Sequence, residues 1–204
     1  MTGKQALKPS RLRDRDRHEA EVLAVAERLF AERGYDQTAI VEVAAAAGFA
    51  VGTLYNLFGS KEAILERLLE KHLKALVANM EAEIAAAPSP REKLERSVLA
   101  RVRYLVEHRD FFRLYVSEIP GSLGYSGGAN TIVARWVRRQ IDHVEAVFRE
   151  LCPRGDTATL ALLFFSATRS YIIERVLRAK RPPRMAEVSF VVTMLLDGLA
   201  GGRR

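Results

Sequence analysis

Three glycines divide the first sixty residues into short helical pieces, and this spacing limits the folds open to the chain. From His18, Val22, Val25, Ala26, Leu29 and Phe30 recur every three or four residues, which predicts an amphipathic helix. Gly34 stands where such a helix would end, since glycine accepts the left-handed C-cap conformation at little cost. Thr38 is placed to cap a second helix, Ala39 to Ala47, with Ile40, Val43, Ala44 and Ala47 on its apolar side, and Gly48 ends it. A third helix is expected from about Val51 to Leu57. Gly59 breaks it, and Ser60 is a good N-cap for a long fourth helix. Three short helices joined by tight glycine turns fit a helix-turn-helix unit, in which one helix braces and the next enters a DNA major groove. Phe49 and Leu54 can bury against Leu29, Phe30 and Val43. Val51, Gly52, Thr53, Tyr55 and Asn56 are then left on the outer side of the third helix.

The rest of the chain continues the helical pattern. Pro88-Ser89-Pro90 closes the fourth helix. Further helices are expected at Arg91 to His108, Phe111 to Glu118, Asn130 to Leu151, Thr157 to Lys180 and Arg184 to Leu199, with a loop over Pro120 to Gly128. Proline and glycine fall between these segments and no strand pattern emerges, so the expected fold class is all-α. An N-terminal three-helix DNA-binding domain (17–62) would follow a flexible basic arm (1–16), and a helical ligand-binding and dimerisation domain (63–204) would complete the chain.

Composition narrows the function. The chain has 204 residues and is 49% hydrophobic and 28% charged, a globular composition. Its one cysteine, Cys152, excludes an internal disulfide and a cysteine zinc site. Apolar runs such as Val188 to Leu196 are well short of a membrane span. No apolar stretch follows the charged start, as a signal peptide would require. A cytoplasmic protein with no membrane partner is the expectation. The net charge of +7 favours a polyanionic partner. Residues 1–17 hold six bases against two acids, whereas residues 18–65 hold three against seven. Arg11, Arg13, Arg15 and Arg17 could therefore lie along DNA phosphates or enter the minor groove.

Residues 20–65, AEVLAVAERLFAERGYDQTAIVEVAAAAGFAVGTLYNLFGSKEAIL, resemble the TetR (tetracycline-repressor) family of bacterial transcriptional regulators, most specifically in the string GTLYNLFGSKE. The resemblance covers the first third of the chain. It implies that Thr53 and Tyr55 touch DNA, that Lys61 contacts a phosphate at the start of the fourth helix, and that Thr38 adds a phosphate contact or serves as a cap. It also implies a homodimer on a roughly palindromic double-stranded operator, formed by the last two helices, and an unknown small-molecule effector bound in the C-terminal domain. Three positions depart from the family pattern. Ala39 and Ala50 stand where capping hydroxyls are usual, and Leu57 replaces a histidine. Between Thr38 and Ser60 there is no Lys or Arg, so a bidentate arginine–guanine contact cannot come from this segment. Base readout would fall to Asn56, the Thr53 hydroxyl and Val51 against thymine methyls, which favours A·T pairs.

For the effector, residues that join a ring or amide to a polar group are the best candidates: Tyr104, His108, Tyr115, Trp136, Gln140 and His143. Arg169 interrupts an apolar helix and could meet an anionic ligand or, as the better expectation, a carboxylate at the dimer face. The competing reading is an all-helical small-molecule-binding protein or enzyme without specific DNA binding. The four histidines, His18, His72, His108 and His143, form no two-histidine metal motif, and no nucleophile, base and orienting group stand at a recognisable spacing. Neither a cofactor nor a metal is implied.

Overall fold

The computed structural model describes residues 9–117, 128–179 and 181–200, with side chains over 13–116, 131–179 and 181–198. The expected loop at Pro120 to Gly128 lies outside them, apart from Gly128. Among the described residues every regular element is helical: α1 (Pro9–Arg33), α2 (Ile40–Ala47), α3 (Val51–Phe58), α4 (Lys61–Ala85), α5 (Pro90–Glu107), α6 (Arg109–Ser117), α7 (Gly128–Leu151), α8 (Thr157–Ile173) and α9 (Met185–Ala200). The all-α class expected from the sequence holds.

The turns form for the reasons anticipated. Gly34, Gly48 and Gly59 have φ of 90°, 75° and 85°, the left-handed region in which a side chain would be strained. At the end of α2 the Phe49 amide donates to the Ala44 carbonyl at 2.9 Å, reversing the chain at once. Ser60 caps α4 by accepting from the Ala63 amide, and Ser89 caps α5 with Pro90 in the first helical turn. The start of the chain differs from expectation. Residues 9–16 form the first turns of α1, so this part of the arm is helical. Arg15 and Arg17 pair with Glu19 and Glu21 one turn on, which supports helix here.

α4 unites the molecule. Its 25 residues extend about 37 Å at 1.5 Å per residue. Ile64, Leu65 and Leu68 bury near the first three helices, and Leu73, Leu76, Val77 and Met80 carry the same stripe into the second domain. There it packs on α5 and α7, while α8 packs on α7 and α9 on α5. α6 turns back and packs along α1. One apolar cluster runs unbroken from Val22 to Val192, with Phe30, Phe111, Phe148 and Phe164 all fully buried. The eighth helix does not continue regularly to Lys180 as expected. After Ile173 it widens into a π-helical turn, Glu174–Arg178, closed by the Ala179 amide on the Glu174 carbonyl. No single helix among the described residues is long and apolar enough to cross a membrane.

Candidate nucleic-acid interface and effector cavity

α3 presents one side to solvent because its other side is fixed by Leu54, which is fully buried. Gly52, Tyr55 and Asn56, at helical spacing, are exposed, and Tyr55 is 51% exposed. Nothing lies within 4 Å of the position a Gly52 Cβ would take, so this helix offers bare backbone to a partner. Thr53 is half-buried. Val51 also packs partly against the core, so less of it is free for a base than the sequence suggested.

Two flanking residues take roles other than those expected. Thr38 is fully buried, and its hydroxyl donates to the Gly34 carbonyl at 2.8 Å. It therefore neither faces DNA nor caps α2. Lys61 reaches back across the unit: its ammonium donates to the carbonyls of Tyr35 at 2.9 Å and Thr38 at 3.1 Å and lies 4.1 Å from the centre of the Tyr35 ring. An ammonium has three donors, so one remains for a phosphate. Arg15 donates to the Leu57 carbonyl at 3.5 Å, which sets the start of α1 beside the end of α3. Arg13, Arg15 and Arg17 are exposed there, while the Arg11 side chain lies outside the described residues.

In the second domain a cavity opens between α4, α5, α6, α7 and α8. It encloses about 420 Å³ between the helices, part of it open to solvent, and the space between its lining side chains is narrow. Leu73, Leu76, Leu105, Phe111 and Phe112 make its walls apolar. Of the six expected effector residues it gathers two, Tyr115 and Gln140. The other four are engaged elsewhere. Tyr104 meets His72, the Trp136 indole donates to Glu70 at 3.0 Å, His143 pairs with Glu81 at 2.7 Å, and His108 stacks beside Tyr104.

Two arginines complete the cavity. Arg169, on α8, lines it and meets no carboxylate among the described residues of its own chain. Arg101, on α5, is 3% exposed and donates to the Thr168 hydroxyl at 2.6 Å. Burial pulls its guanidinium down to about 10, with Tyr115 opposing and Arg169 reinforcing the shift, so it keeps its charge at neutral pH. Arg101 was legible in principle, because it shares the helical phase of Leu94, Val98 and Leu105. Arginine in a helix ordinarily reads as surface.

A second polar cluster ties the domains together. His72 Nε2 donates to Glu27 of α1 at 3.0 Å, and its Nδ1 shares a hydrogen bond with the Tyr104 hydroxyl at 2.9 Å. The His72 ring also stacks on Phe111, 4.3 Å between centres. α1, α4, α5 and α6 thus meet at one imidazole. Burial raises the Glu27 carboxyl, but the hydrogen bond and charge of His72 outweigh it and hold the group below its ordinary range. Burial, aided by the charges of Glu27 and Glu107, pushes the Tyr104 hydroxyl up to about 12.

Comparison with known proteins agrees with this geometry. Residues 22–68 match the family model described as bacterial regulatory proteins, tetR family. The transcriptional repressor KstR2 of Rhodococcus jostii is 28% identical over 198 residues, covering 88% of this chain and 90% of that protein. The TetR-family transcriptional regulator PfmR of Thermus thermophilus superposes with a TM-score of 0.69 at 27% identity, over 86% of this chain and 93% of that one. The transcriptional regulator FadR of Bacillus subtilis, solved in complex with stearoyl-CoA, shares the fold at a TM-score of 0.71 and 18% identity, over 91% and 99% of the two chains. Other curated relatives align over shorter stretches, so that the chain spans about a third to a half of their length.

Proposed function

We propose that this chain, whose residues 22–68 match the tetR family model, is a TetR-family transcriptional repressor, cytoplasmic and released from its operator by a small molecule. One observation carries the reading: α4 is capped at Ser60, directly behind α3, and its Leu73 and Leu76 form a wall of the cavity. A molecule that widens the cavity pushes on the helix that holds the DNA-binding unit. α6 gives a parallel route, since Phe111 and Phe112 line the cavity and the helix packs on α1.

In this reading α3 lies in the major groove with Gly52, Thr53, Tyr55 and Asn56 toward the bases and backbone. Val51 adds an apolar edge. Lys61 and the arginines at the start of α1 neutralise phosphates. Two copies join through the exposed apolar faces of α8 and α9, where Leu163 is 52%, Phe190 65% and Met194 57% exposed. Helices with uncovered apolar faces favour burial against a partner. The resulting two-fold axis calls for a roughly palindromic double-stranded operator. Effector and operator then oppose each other by the same factor in both directions.

Selection of bound sequences from a random duplex library by the purified protein tests this. A palindrome whose recovery is lost in Tyr55→Ala and Asn56→Ala is expected. Recovery of sequence-independent, salt-sensitive binding alone would overturn the specific-repressor reading.

A further inference from the structure

The cavity contains two guanidiniums and no carboxylate. No Asp or Glu is among the residues that line it. Arg101 uses one nitrogen on Thr168, and its Nε is buried without a hydrogen-bond partner. The Arg169 Nε is likewise buried and unpartnered among the described residues. The rings of Phe165 and Tyr115, at 5.0 and 6.0 Å from the two guanidinium carbons, give only weak compensation. The like charge of the half-buried Arg169 raises the cost further and depresses Arg101. An uncompensated buried charge is expensive, and replacing it by an apolar side chain is commonly stabilising. A fold that keeps a buried arginine beside a second, half-buried one in an apolar cavity is completed by an anion that enters with an apolar body.

We infer that the effector is an amphiphilic carboxylate, its head clamped between Arg101 of α5 and Arg169 of α8 and its apolar body lying along Leu73, Leu76, Phe111 and Phe112. This rests on the reading of the cavity as the effector site. A planar guanidinium matches a carboxylate through two parallel hydrogen bonds. Thr168 holds Arg101 from behind, and Thr168 is in turn fixed by donating to the Phe164 carbonyl at 2.8 Å. Because the cavity is narrow, the body must part α4 from α6, and these are the two helices that reach the DNA-binding unit. The charge thus selects the ligand, and the apolar body does the mechanical work.

The test uses the full-length protein and a series of straight-chain carboxylates from hexanoate to tetradecanoate, each against the primary alcohol of equal length. Binding is read by calorimetry and by the shift in Tm. At least one carboxylate is expected to bind about tenfold or more tightly than its alcohol. Arg169→Met is expected to erase that preference while leaving the alcohol's affinity within about twofold. Arg101→Met should erase it too and should raise the Tm of the free protein by about 2 °C or more. Equal binding of acid and alcohol, or no binding across the series, overturns the inference. So does a preference that survives Arg169→Met, which stands as the test even if Arg101→Met fails to fold. Operator selection run on the same preparation separates the two claims. A palindrome with no carboxylate preference sinks this inference alone, and a carboxylate preference without specific DNA binding sinks the repressor reading alone.

Discussion

Two buried polar clusters share the framework of the second domain, and the fold treats them oppositely. Around His72, each charged or polar atom has a partner: Glu27 on one ring nitrogen, Tyr104 on the other, Phe111 against the face. Around Arg101 and Arg169 the cations outnumber their partners, and two Nε atoms are left unmatched. The first joins α1, α4, α5 and α6 and the second joins α5 to α8, yet His72 and Arg101 are equally buried, so depth alone does not separate them. It lies in whether the chain supplies the counter-group itself. The satisfied cluster fixes the position of α1 on α4. The unsatisfied one leaves room for a group from outside.

The contrast is broken most forcefully at His72. His72→Leu keeps the volume but strands the Glu27 carboxylate, only 16% exposed, together with the Tyr104 hydroxyl. Removing one partner of a buried pair is far costlier than removing both. A loss of about 2–4 kcal/mol is expected, seen as a lower urea midpoint at unchanged slope. Adding Glu27→Gln should restore part of it, because the stranded group is then neutral. Arg101→Met should move stability the other way. If both single variants destabilise equally, the two clusters are alike and the contrast fails.

Acid sharpens the same comparison with a smaller effect. The Glu27 carboxyl lies below its ordinary value of 4.5 in the folded protein, so its contribution is present above 4.5 and is lost as pH falls through the lowered folded value. His108 is depressed below 6.5, by burial first and then by the charge of His72. Its unfolded form takes up a proton that the folded form resists, so stability also falls as pH drops below 6.5. Two successive losses on acidification are expected in urea midpoints measured from pH 8 to 4. Glu27→Gln should flatten the lower one and leave the upper, while His108→Asn should do the reverse. A profile unchanged by either variant would remove these groups from the acid response.

These clusters also explain what the sequence did and did not disclose. The first three helices were legible because glycine ends each one and a local string, GTLYNLFGSKE, specifies the turn and α3 together. Effector residues are chosen by tertiary packing, which no local pattern encodes. Tyr104 and Trp136 looked eligible for joining a ring to a polar group, but each spends that group on a neighbour, His72 or Glu70. Arg101 is masked in the sequence because helical arginines are usually solvated, although its phase with Leu94 and Leu105 points inward. Thr38 misled for a related reason. A threonine before a helix reads as a cap, but here the cap position falls one residue later and the hydroxyl turns back to Gly34.

The smallest expected effect extends the comparison to helix ends. Ala39 is the N-cap of α2 and Ala50 that of α3, and neither side chain can accept from the first turn. The two are nonetheless unequal. At α2 the Glu42 carboxylate accepts from the Ala39 amide at 2.8 Å, which is half of a capping box, and places a negative charge in the first turn. α3 has no acid in its first turn and no side chain on its leading amides, only the Thr53 amide on the Ala50 carbonyl at 2.9 Å. A hydroxyl should therefore help α3 more than α2. Ala50→Ser is expected to stabilise by about 1 kcal/mol and Ala39→Ser by about half of that. Operator affinity should rise with Ala50→Ser if the open end of α3 frays in the free protein, because less order is then gained on binding. Hydrogen exchange at Gly52 and Thr53 reads the fraying directly, and slow exchange there in the unsubstituted protein would mean that the shape of the turn alone holds the helix end.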